Sequence, residues 1–140
     1  MGNYPSLGSK GGEVVGALEL NLCYDVPCCK CGDPWYNCCT ETMCPCCPGI
    51  TKPKGAEWDA AKEGMKPFLE EAKTTVFAKG KACGGCCIDV FKAKEALDAD
   101  WTTRVNAYLE THGLSVEVCA FYTSDGKSTT PHLVMQFSKK

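Results

Sequence analysis

The sequence predicts an α+β protein in which two to three helices pack on a small antiparallel sheet, with a cysteine-rich, metal-bound insert. Three observations predict it. Apolar residues recur three and four apart from Trp58 to Val76 and again from Trp101 to Leu109, the period of a helix with one buried face. They alternate from Leu114 to Tyr122 and from Leu133 to Phe137, the period of a strand. Between Leu22 and Ile50 neither period is present, and nine of the thirteen cysteines lie between Cys23 and Cys47. The chain of 140 residues suffices for one domain with a modest core. The expected divisions are a tail and strand over 1–22, a cysteine-rich module over 23–50, and an α+β domain over 56–140.

Charge and hydropathy narrow the function classes. A net charge of −2 gives no basic footprint, so nucleic acid is not an expected partner. No apolar run approaches the ~20 residues that span a bilayer. Residues 1–22 carry no charged region followed by an apolar one, so the expectation is a cytoplasmic protein with reduced thiols. Peripheral membrane contact stays open, because Gly2 with Ser6, after loss of Met1, fits the pattern for N-myristoylation. A single myristoyl chain binds membranes only marginally. Lys10 is the only basic residue before Lys30, so a second signal would have to be S-acylation, and the nearest thiol is Cys23.

The first element is a strand ending near Leu22, with Leu18, Leu20 and Leu22 on one face and Glu19 and Asn21 on the other. The stretch CYDVPCCKCGDPWYNCCTETMCPCC follows. It holds two Cys-x2-Cys pairs, Cys28–Cys31 and Cys44–Cys47, with twelve residues between them. Four thiolates so spaced can close around one Zn2+ in tetrahedral geometry, with Zn–S bonds of about 2.3 Å. Cys29, Cys38, Cys39 and Cys46 offer other sets of four, and soft thiolates also suit Cu(I) or an iron–sulfur cluster.

Energetics favour some cross-link. The non-cysteine apolar residues here are few, among them Val26, Trp35, Tyr36 and Met43. Ordering each residue costs about 1–2 kcal/mol, while burying a large apolar side chain returns about 1.5–3 kcal/mol. Metal binding supplies about 10–16 kcal/mol and closes the gap. A disulfide knot is the other way to close it, but the cysteine count is odd. S-acylation and thiol redox chemistry remain alternative uses of the same sulfurs.

Pro48-Gly49 and Pro53-Lys54-Gly55 mark a linker. A helix from Glu57 then buries Trp58, Ala61, Met65, Phe68, Leu69, Ala72 and Val76. Gly64 and Pro67 interrupt it, predicting a kink or a fresh start at Pro67. The break at ACGGCC places Cys83 and Cys86 as a further thiolate pair, or as a dithiol opening a helix. The pattern resumes at Ile88, Phe91 and Leu97, with Asp98 or Asp100 as an N-cap before Trp101, Val105, Tyr108 and Leu109. Gly113 is the expected left-handed C-cap.

A hairpin closes the chain. With Asp125-Gly126 as a two-residue turn, Leu114 faces Phe137, Val116 faces Met135 and Val118 faces Leu133. On the other face, expected to be exposed, Cys119 meets His132. Opposed residues have Cβ atoms about 4.5–5.5 Å apart, close enough for a thiolate–imidazolium dyad. Glu117 is the acid nearest in sequence to orient it. Pro131 predicts that the last strand is an edge strand or starts there.

A helix (MKPFLEEAKTT), the break ACGGCC, a helix ending VNAYLETHGL and a closing hairpin (SVEVCAFY…HLVMQF) together resemble the golgin-A7-like/Erf family of palmitoyltransferase accessory subunits. The similarity is one of layout over the part of the chain from about residue 55 to 140. It implies a non-catalytic, membrane-peripheral protein, itself acylated on cysteine. The cysteines of residues 23–47 have no counterpart in it. The function expected from the residues is a non-enzymatic intracellular zinc-thiolate adaptor, tethered to membrane if Gly2 is acylated, with a protein partner. The alternatives are an S-acylated accessory subunit of a membrane enzyme and a thiol redox protein.

Overall fold

The structure, a computed structural model, describes residues 12–20, 52–80, 89–124, 126–127 and 129–140. Strand β1 (Val14–Glu19) comes first, then helix α1 (Ala56–Lys79). Helix α2 (Val90–Ala96) runs through a π-helical turn (Leu97–Trp101) into α3 (Thr102–Glu110), followed by β2 (Leu114–Ser124) and β3 (Thr129–Lys139). The three strands form one antiparallel sheet in the order β1-β3-β2. The helices and the sheet share one core, so the α+β expectation holds for these residues.

That core is built from the faces the periodicities predict. Trp58, Met65, Leu69 and Val76 of α1, Leu97 and Trp101 of the π turn, and Leu109 of α3 are buried against Leu18, Leu114, Val118, Met135 and Phe137 of the sheet. The Trp58 ring lies 4.8 Å from Phe137. A bulge between Val14 and Gly16 breaks the alternation of β1, which lets Val15 and Leu18 face the same core despite their odd spacing. Gly16, at φ 143°, permits a close crossing: a Cβ built there would stand 2.3 Å from Cα of Pro53. Leu22, the third leucine of the expected strand face, lies outside the described residues.

Helix α1 neither stops nor restarts at Pro67 but continues through it. Pro67 sits on the exposed side, as does Glu63, whose carbonyl loses its helical N–H partner. Gly64 is kept small by a neighbour: a Cβ there would lie 2.2 Å from the Tyr108 hydroxyl, which donates to the carbonyl of Ala61 at 2.9 Å. The Trp101 indole donates to the carbonyl of Phe68 at 2.7 Å, a second tie between the helices.

The expected N-cap at Asp98 or Asp100 is corrected. Asp89 is the cap, accepting from the amides of Phe91 at 3.0 Å and Lys92 at 3.1 Å. Asp98 instead bonds Lys94 and Thr102, and Asp100 bonds Arg104, all along one continuing helix. The π turn has a physical cause in the buried set Ala93, Leu97, Trp101, Val105 and Leu109. Each four-residue step overshoots a 3.6-residue turn by about 40°. One wider turn brings the later residues back over the core. Phe91 is 55% exposed rather than part of that stripe. Helix α3 ends as expected: the His112 amide bonds the Leu109 carbonyl and Gly113 adopts φ 74°.

The hairpin register is corrected by two residues. Val116 pairs with Phe137, Val118 with Met135 and Ala120 with Leu133, and the last pair is Ser124 with Thr129. The connection is therefore four residues rather than the two-residue Asp125-Gly126 turn. Ser124 Oγ accepts from the Gly126 amide at 3.2 Å, and Gly126 takes φ 92°. A shift of two keeps each side chain on its predicted face, so the core survives while every partner changes. β3 is the central strand, not an edge. Pro131 is tolerated because the Leu133 carbonyl pairs with Leu20 on the β1 side, and Pro131, two residues earlier, faces that side beyond the end of β1.

Candidate functional site

Most of the sequence-predicted site residues lie outside the described residues: Gly2, Cys23, Cys28, Cys29, Cys31, Cys38, Cys39, Cys44, Cys46, Cys47, Cys83 and Cys86. The points that bracket the main cysteine stretch are described. On one side the Leu20 amide bonds the Leu133 carbonyl at 3.1 Å, extending β1 along β3. On the other the Lys54 amide bonds the Val15 carbonyl at 3.1 Å, Lys52 is buried, and Pro53 crosses Gly16. Both ends are thus fixed to β1. Val15 and Leu20 are five residues apart on one extended strand, a span of about 17 Å. Among the described residues, no cluster of three or more His, Cys, Asp or Glu side chains could hold a metal ion, and no helix is long and apolar enough to cross a membrane.

The described residues do assemble a polar constellation, on the sheet face away from the helices. The register pairs Cys119 with Val134 and His132 with Phe121, so the expected Cys119–His132 opposition is corrected. His132 instead links all three strands. Its Nδ1 lies 2.5 Å from Oε2 of Glu19 on β1, and its Nε2 lies 2.7 Å from Oγ1 of Thr123 on β2. An ionised carboxylate only accepts, so with Glu19 ionised Nδ1 donates to it; in the neutral tautomer that this selects, Nε2 is the nitrogen that can accept from the Thr123 hydroxyl. Phe121 stacks on the imidazole with ring centroids 5.1 Å apart and planes 21° apart, fixing its tilt.

His132 is 8% exposed and the Glu19 side chain 11%, whereas Thr123 is half-buried. The whole outer face of β3, expected to be exposed, is buried from His132 through Val134 and Gln136 to Ser138. The acid that reaches His132 is Glu19, 113 positions away in the sequence.

A groove of about 650 Å³ runs between α3 and β2, lined by Asp98, Thr102, Asn106, Glu117, Gln136 and Lys140 among others. Its charges pair within the wall, Lys94 with Asp98 and Lys140 with Glu110. Asn106 closes the β2 edge here: its side chain accepts from the Val116 amide at 2.7 Å and donates to the Val116 carbonyl at 3.2 Å. On the helix surface Arg104 spans Glu71 and Asp100, and those hydrogen bonds, Glu71 first, raise the guanidinium pKa above its ordinary value. Arg104 stays charged throughout, so this exposed network fixes helix surfaces and supplies no titrating group.

Comparison with protein-family models, with curated proteins and with solved structures returns no match to this chain.

Proposed function

We propose that the chain is an intracellular zinc-thiolate interaction protein, in which the α+β domain presents the Cys23–Cys47 stretch as a metal-bound module to a protein partner. The observation that carries this is the combination of nine cysteines with two pinned ends. A stretch poor in apolar residues cannot fold by burial, but four thiolates suit Zn2+. Holding both ends on β1 lowers the closure entropy that metal binding would otherwise have to overcome. Cys28, Cys31, Cys44 and Cys47 are the proposed ligands. Zinc there would act structurally, holding the module in one shape for recognition.

Native mass spectrometry of the full chain, purified without chelator, tests this. The expected result is retained zinc, released by chelator and absent after Cys28→Ser together with Cys44→Ser. A metal-free mass carrying thirteen reduced thiols, or masses showing paired disulfides, overturns it.

A second reading draws on the helix–helix–hairpin order, which is the layout the golgin-A7-like/Erf resemblance implies. In that reading the chain is an S-acylated, membrane-peripheral accessory subunit, with Gly2 and Cys23 as lipid sites. Hydroxylamine cleaves thioesters, so it should release the chain from membranes; an unchanged membrane fraction counts against this reading.

A further inference from the structure

We propose that Thr123 is an acyl-accepting nucleophile, with His132 as its general base and Glu19 as the residue that positions the base. This is independent of the thiolate reading, because none of the three groups is a cysteine. Four observations converge on it. The hydroxyl, imidazole and carboxylate form one unbroken chain with steps of 2.7 and 2.5 Å. The carboxylate fixes the tautomer that leaves Nε2 able to take a proton from the hydroxyl. Stacking on Phe121 holds the ring in that orientation. The imidazole is buried, while Glu19 and Thr123 are each partly exposed. A nucleophile, a base within hydrogen-bond reach and a third group orienting the base make the arrangement that activates a side-chain hydroxyl.

The substrate class is an activated carboxylic ester or thioester. Thr123 Oγ1 bonds to the acyl carbon while its proton passes to His132 Nε2. The Glu19 carboxylate stabilises the imidazolium so formed. The carbon–oxygen or carbon–sulfur bond to the leaving group then breaks, and Nε2 returns the proton to the departing alcohol or thiol. Water, deprotonated by the same nitrogen, hydrolyses the acyl-threonine ester and restores the hydroxyl. No oxidant or reductant enters.

A fluorophosphonate probe, which forms a phosphorus–oxygen bond to an activated hydroxyl as fluoride leaves, tests this on the full-length protein. The expected result is one phosphonyl group mapped to the Thr123 peptide, absent from heat-denatured protein and from Thr123→Ala, and kept in Thr123→Ser. Thr123 is half-buried at the hairpin end, so both variants should fold, which circular dichroism checks. His132→Gln should slow labelling by about 10²-fold or more, the usual contribution of a general base. Glu19→Gln should slow it while Glu19→Asp restores part of the rate, a rescue that a purely structural role would not produce. No adduct at Thr123 in the folded protein overturns the proposal. So does a labelling rate that Glu19→Gln and His132→Gln leave unchanged while thermal unfolding shows both variants folded.

Discussion

Gly64 and Tyr108 show how one residue's identity is dictated by another 44 positions away. The Tyr108 hydroxyl occupies the place a side chain at 64 would fill and bonds the Ala61 carbonyl. Gly64→Ala should therefore destabilise by about 1–3 kcal/mol, as overpacking does. Tyr108→Phe should cost about 1 kcal/mol, the net value of its hydrogen bond. The ring carbon Cζ, which Tyr108→Phe keeps, would still stand 2.6 Å from the added Cβ, so the double variant should recover only part of the clash and cost somewhat less than the sum of the two, a partial non-additivity that urea unfolding of all four proteins measures. His132 follows the same logic on the other face of the sheet. Its partners Glu19 and Thr123 carry no signal in the sequence around it. Only the addition of β1 beside β3, and a register set by a four-residue loop, brings them together.

At the scale of elements, the faces turned to the main core were legible; the boundaries, and the burial of the outer face of β3, were not. The spacing of Trp58, Ala61, Met65, Leu69, Ala72 and Val76 identifies the core face of α1 whether or not Pro67 breaks the helix. Local chemistry misled where a longer-range term won. Asp98 and Asp100 resemble caps, yet packing carries the helix through them by a π turn. Asp125-Gly126 resembles a two-residue turn, yet the strands pair two residues out of that register. Two predictions belong at this scale. Pro67→Ala restores an amide that can reach the Glu63 carbonyl, so it should stabilise the protein by about 1–3 kcal/mol, less than the full proline penalty because the unfolded chain also gains freedom. Asn106→Ala leaves the amide and carbonyl of Val116 without their partner at a nearly buried strand edge. It should cost about 1–3 kcal/mol, read as a lower urea midpoint with an unchanged slope.

At the scale of the whole molecule, the domain and the cysteine stretch obey different physics. The domain is held by a continuous apolar core from Leu18 to Phe137, and its α+β class could be read from periodicity because burial writes itself into spacing. The cysteine stretch has no such spacing, and in the proposed reading its sulfurs order it around zinc. What the fold adds is a fixed frame: one flank of the stretch is hydrogen-bonded to β3 through Leu20 and the other to β1 through Lys54. The X-ray absorption spectrum at the zinc edge of the purified chain probes the proposed module most directly. Four sulfur neighbours at about 2.3 Å are the predicted first shell. A shell of nitrogen and oxygen, or no zinc signal from protein purified without chelator, would contradict the account.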